Sequence, residues 1–456
     1  MGPPDHDVPP DPAAPGAGGR PARRRRALLA GVAALAVAVL VVTLLVADRD
    51  GGPDGAGPDT ALLDLPRVPW EGGPEYWARF PATADAGWTD PAFFPVVSWF
   101  NGISSDEEVR YDRSLGFNTY IGMDPSTPYS LFADNDVYWI GGALNETFTE
   151  DSRNWVGTFL DDEVDGRFPP DEARDRLAQL RESAPADRPA YANFTQTVVS
   201  RDMTDDDAEA LINDYTDVVS VDMYWYTIPF CDWDPYRAVY LLPVEQETCR
   251  TASSYGTVVE MLRQRDAADG ELQATWQFVE VLNGGPGEGP FLGNIEPDQL
   301  RGAVMSSLIH EARGIVYFNQ SLSGPCQGGN VIRLSQVQED FCGAAQVAAA
   351  GEVNAQIHEL APVLNTQSYE HDAGPGLDTM LKAHDGYAYL FAMVDGSGPP
   401  GERRLDLPAG LAGGEAEVLF EDRTVPVVDG RITDTFTTES TYHVYRIPLE
   451  GTGEPA

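Results

Sequence analysis

The chain has 456 residues, 42% of them hydrophobic and 10% aromatic, so it can bury a large core and exceeds the size of one ordinary domain. Its 30 basic and 72 acidic residues give a formal net charge of −42, which repels phosphate backbones and argues against a nucleic-acid partner. The single lysine, Lys382, is not in a P-loop, and the sequence contains no HExxH or GxSxG motif. These absences exclude Walker-type, zinc-peptidase and serine-elbow chemistry, and we expect neither a cofactor nor a metal.

The N-terminal region has the pattern of a membrane anchor. Residues 1–26 are rich in Pro, Gly and Ala and predict a disordered cytoplasmic tail, whereas residues 27–47 are apolar and uncharged over the length of one bilayer crossing. Arg20 and Arg23–Arg26 precede this run, so the positive-inside rule places the N-terminus in the cytoplasm and the rest of the chain outside the cell membrane. A cleaved signal peptide is the alternative. Residues 48–66 predict a flexible stalk.

Eight apolar segments between residues 93 and 320 alternate with amphipathic stretches of about 12 residues, which predicts parallel strands separated by helices. The segments are FFPVVSWF (93–100), FNTYIGM (117–123), DVYWIGGA (136–143), WVGTFLDD (155–162), RPAYANFT (188–195), DVVSVDMYWY (217–226), LQATWQFVEV (272–281) and GIVYFNQ (314–320). Eight such units predict an α/β fold, a (β/α)8 TIM barrel over residues 67–366. A doubly wound sheet is the alternative, but no glycine-rich turn follows the first segment.

Four cysteines are spaced as two local pairs. Cys231 and Cys249 are 18 residues apart, and Cys326 and Cys342 are 16 apart, which predicts two disulfides that each close one loop. Disulfides are typical of an oxidising, extracytoplasmic compartment. A zinc site would instead require CxxC spacing.

After a last helix near residue 351 the pattern changes. The segments YAYLFAMVD, AEVLFED, TVPVV and TYHVYRI alternate in polarity and are separated by Gly and Pro turns. They predict a small all-β sandwich over residues 367–456.

Carboxylates follow two of the predicted barrel strands. Asp161, Asp162 and Glu163 close the fourth strand, and Glu280 closes the seventh. Active sites of TIM barrels lie at the carboxyl ends of the strands, and glycoside cleavage requires two carboxyl groups over one mouth. We therefore expect Glu163 and Glu280 to be catalytic.

Further side chains at or near strand ends are predicted to bind the sugar, because aromatic faces stack on its C–H groups while amides and carboxylates bind its hydroxyls. These are Trp99, Asn101, Asp162, Tyr191, Asn193, Asp222, Tyr224, Trp225, Trp276 and Asn319.

Structural roles compete with these predictions. Glu163 could cap a helix, Glu280 could be solvated in the loop that follows, Trp276 could belong to the core, and Asp222 could be a satisfied buried acid. Positions 161–172 also match part of an EF-hand loop, but Pro169 and Pro170 and the preceding strand argue against calcium.

The sequence resembles clan A glycoside hydrolases that carry a C-terminal β-sandwich. The resemblance covers roughly residues 90–450 and is carried by FFPVVSWFNG, LGFNTYIG, FLDDE, WQFVE and EARGIVYFN, and by NAQIHELAPVLN before the sandwich. It implies a retaining mechanism in which Glu163 is the acid/base and Glu280 the nucleophile. One departure is Asp162, because the family usually has Asn before the acid/base. An adjacent carboxylate favours the protonated form of Glu163 but removes an amide for the sugar.

Two hypotheses about function remain. One is an extracytoplasmic, membrane-anchored glycosidase acting on an oligo- or polysaccharide. The other is a non-catalytic sugar-binding or cell-envelope scaffold protein that keeps the barrel without turnover. A lipid or peptide hydrolase is a distant third, because its nucleophile motifs are missing.

Overall fold

The computed structural model describes residues 63–100, 102–228, 231, 249–285 and 292–450. The chain divides into two units, residues 1–60 and 61–456, and all described residues belong to the second. The predicted tail and the predicted membrane span 27–47 lie outside the described residues. Within the described part, no helix combines the length and apolarity needed to cross a bilayer.

Eight parallel strands close into a barrel, which confirms the predicted fold class. They are β2 (Val96–Trp99), β3 (Thr119–Ile121), β4 (Tyr138–Ile140), β5 (Trp155–Asp162), β6 (Ala190–Phe194), β7 (Val218–Val221), β8 (Ala274–Glu280) and β9 (Ile315–Phe318). Each pairs with its neighbour in sequence, and β9 pairs with β2 to complete the ring. Every strand lies inside one of the eight apolar segments. Parallel strands covered by helices are buried on both faces, so their sequences are apolar throughout.

Helices surround the barrel. In chain order they are α1 (Pro74–Trp77), α2 (Pro81–Asp85), α3 (Asp106–Ser114), α4 (Ser130–Ala133), α5 (Val164–Arg167), α6 (Pro170–Ser183), α7 (Asp205–Asn213), α8 (Ser253–Asp266), α9 (Pro297–Ile309), α10 (Val331–Val337) and α11 (Ala344–Leu364), with 3-10 turns at Gln196–Val199 and Ala267–Asp269. The last helix starts earlier than the predicted position near 351, because its first turns bury Gln346 and Val347.

Aromatic rings fill the barrel interior. The Trp99 ring lies 5.2 Å from Phe159 and 5.0 Å from Phe278, centroid to centroid, and Tyr191 lies 5.2 Å from Trp276. The barrel interior is therefore a packed core, and the active sites of TIM barrels lie at the carboxyl end of the strands.

An antiparallel domain follows the barrel. Its larger sheet has the order β1-β10-β11-β12-β17-β14-β15, and β13 pairs with β16 in a second sheet. The strands are β1 (Arg67–Val68), β10 (Ser368–Tyr369), β11 (Leu377–His384), β12 (Tyr387–Val394), β13 (Gly401–Asp406), β14 (Glu415–Val418), β15 (Arg423–Pro426), β16 (Arg431–Phe436) and β17 (Tyr442–Pro448). Side chains alternate along β12: Leu390 packs in the core between the two sheets, and Phe391 packs in the barrel's core. β12 is thus buried on both faces along nearly its whole length.

The start of the fold differs from the predicted boundary. We predicted a stalk over 48–66 and a barrel from residue 67, but Leu63 is buried in the core between the sheets, and β1 pairs with β10. The cause is the alternation of leucines in LLDLPRV, which gives this segment an apolar side to bury.

The only lysine is buried where the two domains meet. Lys382 on β11 has no exposed surface, and its Nζ donates to Ser368 Oγ at 2.6 Å and to the Thr366 carbonyl at 3.0 Å. The Glu311 carboxylate is 3.4 Å away. Burial nevertheless lowers the pKa of Lys382 to about 7, and the nearby Arg313 lowers it further.

This lysine predicts a pH dependence of stability. The unfolded chain holds the Lys382 proton up to a pKa of about 10.4, whereas the folded chain releases it near 7, so the free energy of unfolding should rise with pH between these values. The slope is at most about 1.4 kcal/mol per pH unit. Denaturant unfolding of Lys382→Met should lack this rise. Equal slopes for both proteins would contradict the prediction.

Two disulfides join Cys231 to Cys249 and Cys326 to Cys342, as the spacing predicts. A loop of 16 residues closed by a disulfide stabilises the fold by about 3 kcal/mol in the chain-entropy model. We expect the double variant Cys326→Ser, Cys342→Ser to lose about that much unfolding free energy in denaturant titrations. A reductant opens both disulfides and should destabilise the wild type at least as much. An unchanged unfolding free energy in the double variant would contradict the prediction.

Candidate active site

Two acidic residues are anchored at the end of β6 by their own backbones. The amide of Glu163, which follows β5, donates to the Asn193 carbonyl at 2.9 Å. The amide of Asp222, which follows β7, donates to the Phe194 carbonyl at 3.1 Å. Because β6 lies between β5 and β7, consecutive carbonyls of one strand hold both acids at the carboxyl end of the barrel.

Backbone strain marks the same end of the barrel. Glu163 has φ 51° and ψ 39°, in the left-handed region, and Phe100, which directly follows β2, has φ 55°. Such conformations cost about 1–3 kcal/mol in a residue other than glycine and cluster at functional sites. Phe100 is also 44% exposed, so its ring is an aromatic surface near the mouth.

Asp222 is an acidic residue near Glu163. Its buried Oδ1 has no hydrogen-bond partner among the described residues. Burial raises the pKa of Asp222 well above its usual range, and the charge of Glu163 raises it further. Both effects favour the protonated form of Asp222.

A buried network supports the neighbouring acid. Asn193 Nδ2 donates to Asp162 at 2.9 Å, Asn193 Oδ1 accepts from Ser220 at 2.7 Å, and Ser220 is hydrogen-bonded to the Tyr191 hydroxyl. Burial raises the pKa of Asp162 to about 6, although the Asn193 amide lowers it. Both ends of the Asn193 amide are used, which fixes its orientation and that of Asp162.

A bulge decides which aspartate points inward. The pairing of β5 with β6 shifts register between Phe159 and Asp162, so Asp162 and not Asp161 aligns with Asn193. The Asp161 carboxylate forms ion pairs with Arg167 and Arg176 instead.

The calcium alternative does not fit these contacts. Asp165 accepts from the Thr195 amide at 3.0 Å and from its hydroxyl at 2.7 Å, and Asp161 is taken up by arginines. Among the described residues, no group of three or more His, Cys, Asp or Glu side chains is placed to hold a metal ion.

Glu280 at the end of β8 is fully buried. Its Oε2 accepts from the Tyr255 hydroxyl at 2.7 Å, and its Oε1 accepts from the Thr227 hydroxyl at 3.1 Å. Burial raises the pKa of Glu280 to about 7, and the two hydrogen bonds and Arg250 lower it. Glu280 therefore titrates near neutrality.

The tyrosine that donates to Glu280 comes from a helix and not from a strand end. Tyr226, which follows β7, donates instead to Glu439 of the antiparallel domain at 2.9 and 3.1 Å. Tyr255 lies on α8, away from any strand end, so its position along the sequence gave no signal.

Tyr224 lies among the carboxylates. Its ring packs on Phe318, and its buried hydroxyl has no hydrogen-bond partner in the part of the chain that the structure describes. Its pKa is raised well above the usual range by burial and by four nearby acids, Asp222, Glu163, Asp162 and Glu280.

Other predicted sugar-binding residues have different surroundings. Trp99, Tyr191 and Trp276 are buried in the barrel interior, where their rings pack on other aromatic rings. Trp225 is buried, and its carbonyl accepts from Arg250. Asn319 donates to Asn330 and accepts from the Ile332 amide at the start of α10. Asn101 lies outside the described residues.

Sequence reasoning missed several residues of this site. Ser220, Thr227 and Tyr255 complete its hydrogen bonds, and Phe100 is exposed at its edge. Ser220 shares strand parity with Asp222, which was a usable signal.

Solved structures similar to this chain include glycoside hydrolases at low sequence identity. No family model and no curated protein matches the chain. Among solved structures, a family 5 glycoside hydrolase from Bacteroides vulgatus is 12% identical with a TM-score of 0.48, covering 80% of this chain and 92% of its own. A GH30 endoxylanase from Clostridium papyrosolvens is 9% identical with a TM-score of 0.44, covering 85% and 98%. The barrel assignment rests on the strand order of this chain and not on similarity at this level.

The hydrogen bond from Tyr255 should control the ionisation of Glu280. Removing the hydroxyl in Tyr255→Phe should raise the pKa of Glu280 above about 7, because the bond favours the ionised form. Carboxyl-selective NMR titration with labelled glutamate measures this shift. Tyr226→Phe is the matched control, since that hydroxyl binds Glu439 and should leave the Glu280 titration in place. Equal titrations for Tyr255→Phe and the wild type would contradict the role of Tyr255.

Proposed function

We propose that this protein is a glycoside hydrolase that cleaves O-glycosidic bonds by a retaining mechanism, with Glu163 as acid/base and Glu280 as nucleophile. The observation that supports it most directly is that Glu163 directly follows β5 and Glu280 ends β8, so both residues lie at the carboxyl end of one closed barrel. Glycoside cleavage requires two carboxyl groups, and in a TIM barrel they lie at the carboxyl end of the strands.

The chemistry follows from the two roles. In the first step Glu163 gives its proton to the leaving oxygen while Glu280 attacks the anomeric carbon, so the glycosidic C–O bond breaks and a glycosyl ester of Glu280 forms. In the second step Glu163 takes a proton from water, whose oxygen attacks the anomeric carbon and frees Glu280. Asp162 and the exposed Phe100 would bind the sugar beside the reacting carbon.

Glu280 must be ionised to attack, which gives the reaction a pH dependence. Because its pKa is raised to about 7, the fraction able to attack falls as the pH drops below that value. We therefore propose an acidic limb of kcat/KM near pH 7.

The proposed location is the outer side of a cell membrane. The two disulfides favour an oxidising compartment, and the apolar run 27–47 supports an anchor that holds the domain there.

One observation favours the non-catalytic alternative. Glu280 has no exposed surface, and each of its oxygens already accepts a hydrogen bond within the protein. A protein that binds a sugar without turnover could keep such a residue for structure alone.

Kinetics of two variants separate these functions. Glu280→Gln should abolish turnover of aryl glycosides, whereas Glu163→Gln should spare substrates with good leaving groups, which need no protonation, and azide should rescue its second step. Residues 60–456 would be assayed with a panel of aryl glycosides. Arg174→Gln, on the outer face of α6, is a control expected to keep wild-type rates.

Turnover that survives in both Glu163→Gln and Glu280→Gln would refute the residue assignment. Sugar binding by calorimetry with no turnover on any glycoside would instead support the sugar-binding alternative.

A further inference from the structure

A turn after β7 brings a hydroxyl to Glu280. The amides of Thr227 and Ile228 both donate to the Tyr224 carbonyl, at 3.0 and 2.9 Å, which closes the turn. Thr227 Oγ1 accepts from the Gly284 amide at 3.1 Å and donates to Glu280 Oε1 at 3.1 Å. The bond from Gly284 orients the hydroxyl, so that its one hydrogen is directed at the carboxylate.

This turn is seated on two glycines that follow Glu280 along the chain. A Cβ at Gly284 would lie 2.4 Å from Cγ of the Tyr224 ring, and a Cβ at Gly285 would lie 2.7 Å from the Thr227 carbonyl oxygen. Both distances are too short for a real side chain. The turn and the chain after β8 therefore approach each other more closely than residues with side chains would allow.

The side chain of Arg250 holds the same turn. Its Nη1 donates to the Trp225 carbonyl at 3.2 Å and to the Tyr226 carbonyl at 2.9 Å. These two residues directly precede Thr227, and both are buried. Hydrogen bonds from a charged donor are stronger than neutral ones, so Arg250 fixes the backbone on which the Thr227 hydroxyl depends.

The backbone beside Arg250 is anchored as well. It directly follows Cys249, which is buried and joined by a disulfide to the buried Cys231. Three residues beyond Arg250 begins α8, the helix whose Tyr255 donates to the other oxygen of Glu280. Arg250 therefore lies between the two segments that supply hydroxyl donors to Glu280.

We propose that Arg250 is a positioning residue of the candidate active site: by bridging two carbonyls of the turn, it holds the Thr227 hydroxyl against Glu280 and favours the ionised carboxylate. A donor directed at a carboxylate stabilises its charged form. The inference rests on the proposed function for its use, because an ionised Glu280 serves the reaction only if Glu280 is the nucleophile.

The charge of Arg250 acts in the same direction as its hydrogen bonds. It lowers the pKa of Glu280, as do the bonds from Tyr255 and Thr227, whereas burial raises that pKa to about 7. The tyrosines whose hydroxyls interact with the Glu280 charge are Tyr224, Tyr226 and Tyr255. Burial raises their pKa values well above the usual range, so they are neutral.

NMR titration of the side-chain carboxyls, with glutamate labelled by ¹³C, tests the role of Arg250 without any substrate. The Glu280 signal is the one that Glu280→Gln lacks. Arg250→Met should raise the pKa of Glu280 by about one unit, because both the charge and the bridge are lost. Arg250→Lys keeps the charge but not the planar guanidinium, so a smaller rise in that variant reports the lost bridge. It also decides the question if Arg250→Met does not fold.

Arg263→Met is the matched control. Arg263 lies in the last turn of α8 and also donates to two backbone carbonyls, those of His310 at 3.3 Å and Pro69 at 2.6 Å. Its loss should leave the Glu280 titration in place. A wild-type titration in Arg250→Met would overturn the proposal, and one in Arg250→Lys would reduce Arg250 to an effect of charge and overturn its positioning role. These results hold whether or not the protein cleaves glycosides, so failure of this inference and failure of the proposed function are distinguishable.

Kinetics then test whether Arg250 acts through Thr227. In Arg250→Met the acidic limb of kcat/KM should move to higher pH, so that kcat/KM falls about tenfold at pH 6 and less than about threefold at pH 9. Thr227→Val should move the limb in the same direction. The double variant should show less than the sum of the two shifts, because both changes remove one hydrogen bond to Glu280. Fully additive shifts would show that Arg250 does not act through Thr227 and would overturn the proposal.

Discussion

The candidate site depends on one constraint, the fixed positions of the carbonyls at the end of β6. Parallel strands end with backbone groups that have no further strand residue to pair with, and here those of Asn193 and Phe194 are satisfied by the amides of Glu163 and Asp222. The last backbone hydrogen bonds at this end of β6 thereby fix the positions of two acidic residues. The hydrogen bonds that satisfy these two carbonyls are therefore the same ones that position the two acidic residues.

The strands and their ends could be predicted from the sequence, and the contacts beyond them could not. Apolar segments of strand length define a barrel, and a barrel puts the residues after Asp162 and Val221 at one end. The bulge in β5, by contrast, depends on pairing with β6, and it turns Asp162 inward and Asp161 toward two arginines. The role of Tyr255 could not be predicted either, because it depends on how α8 packs on the barrel and so brings the Tyr255 hydroxyl to Glu280.

The antiparallel domain forms hydrogen bonds with the barrel beside Tyr255. Glu439, in the turn between β16 and β17, accepts hydrogen bonds from Tyr226 and from the Ala252 amide just before α8. The Tyr226 ring lies 5.6 Å from that of Tyr255, whose hydroxyl binds Glu280. Glu439 thus ties the second domain to the start of α8, the helix that carries Tyr255, which gives that domain a structural role in the barrel.

The burial of Lys382 also changes what the folded surface offers to chemical reagents. The Lys382 amine is buried against Ser368 and the Trp70 ring. The described surface therefore carries arginine side chains and no lysine side chain. Reagents that acylate lysine side chains would find their single target only after the two domains part. The rate of acylation at Lys382 therefore reads out domain separation directly, with no label to introduce.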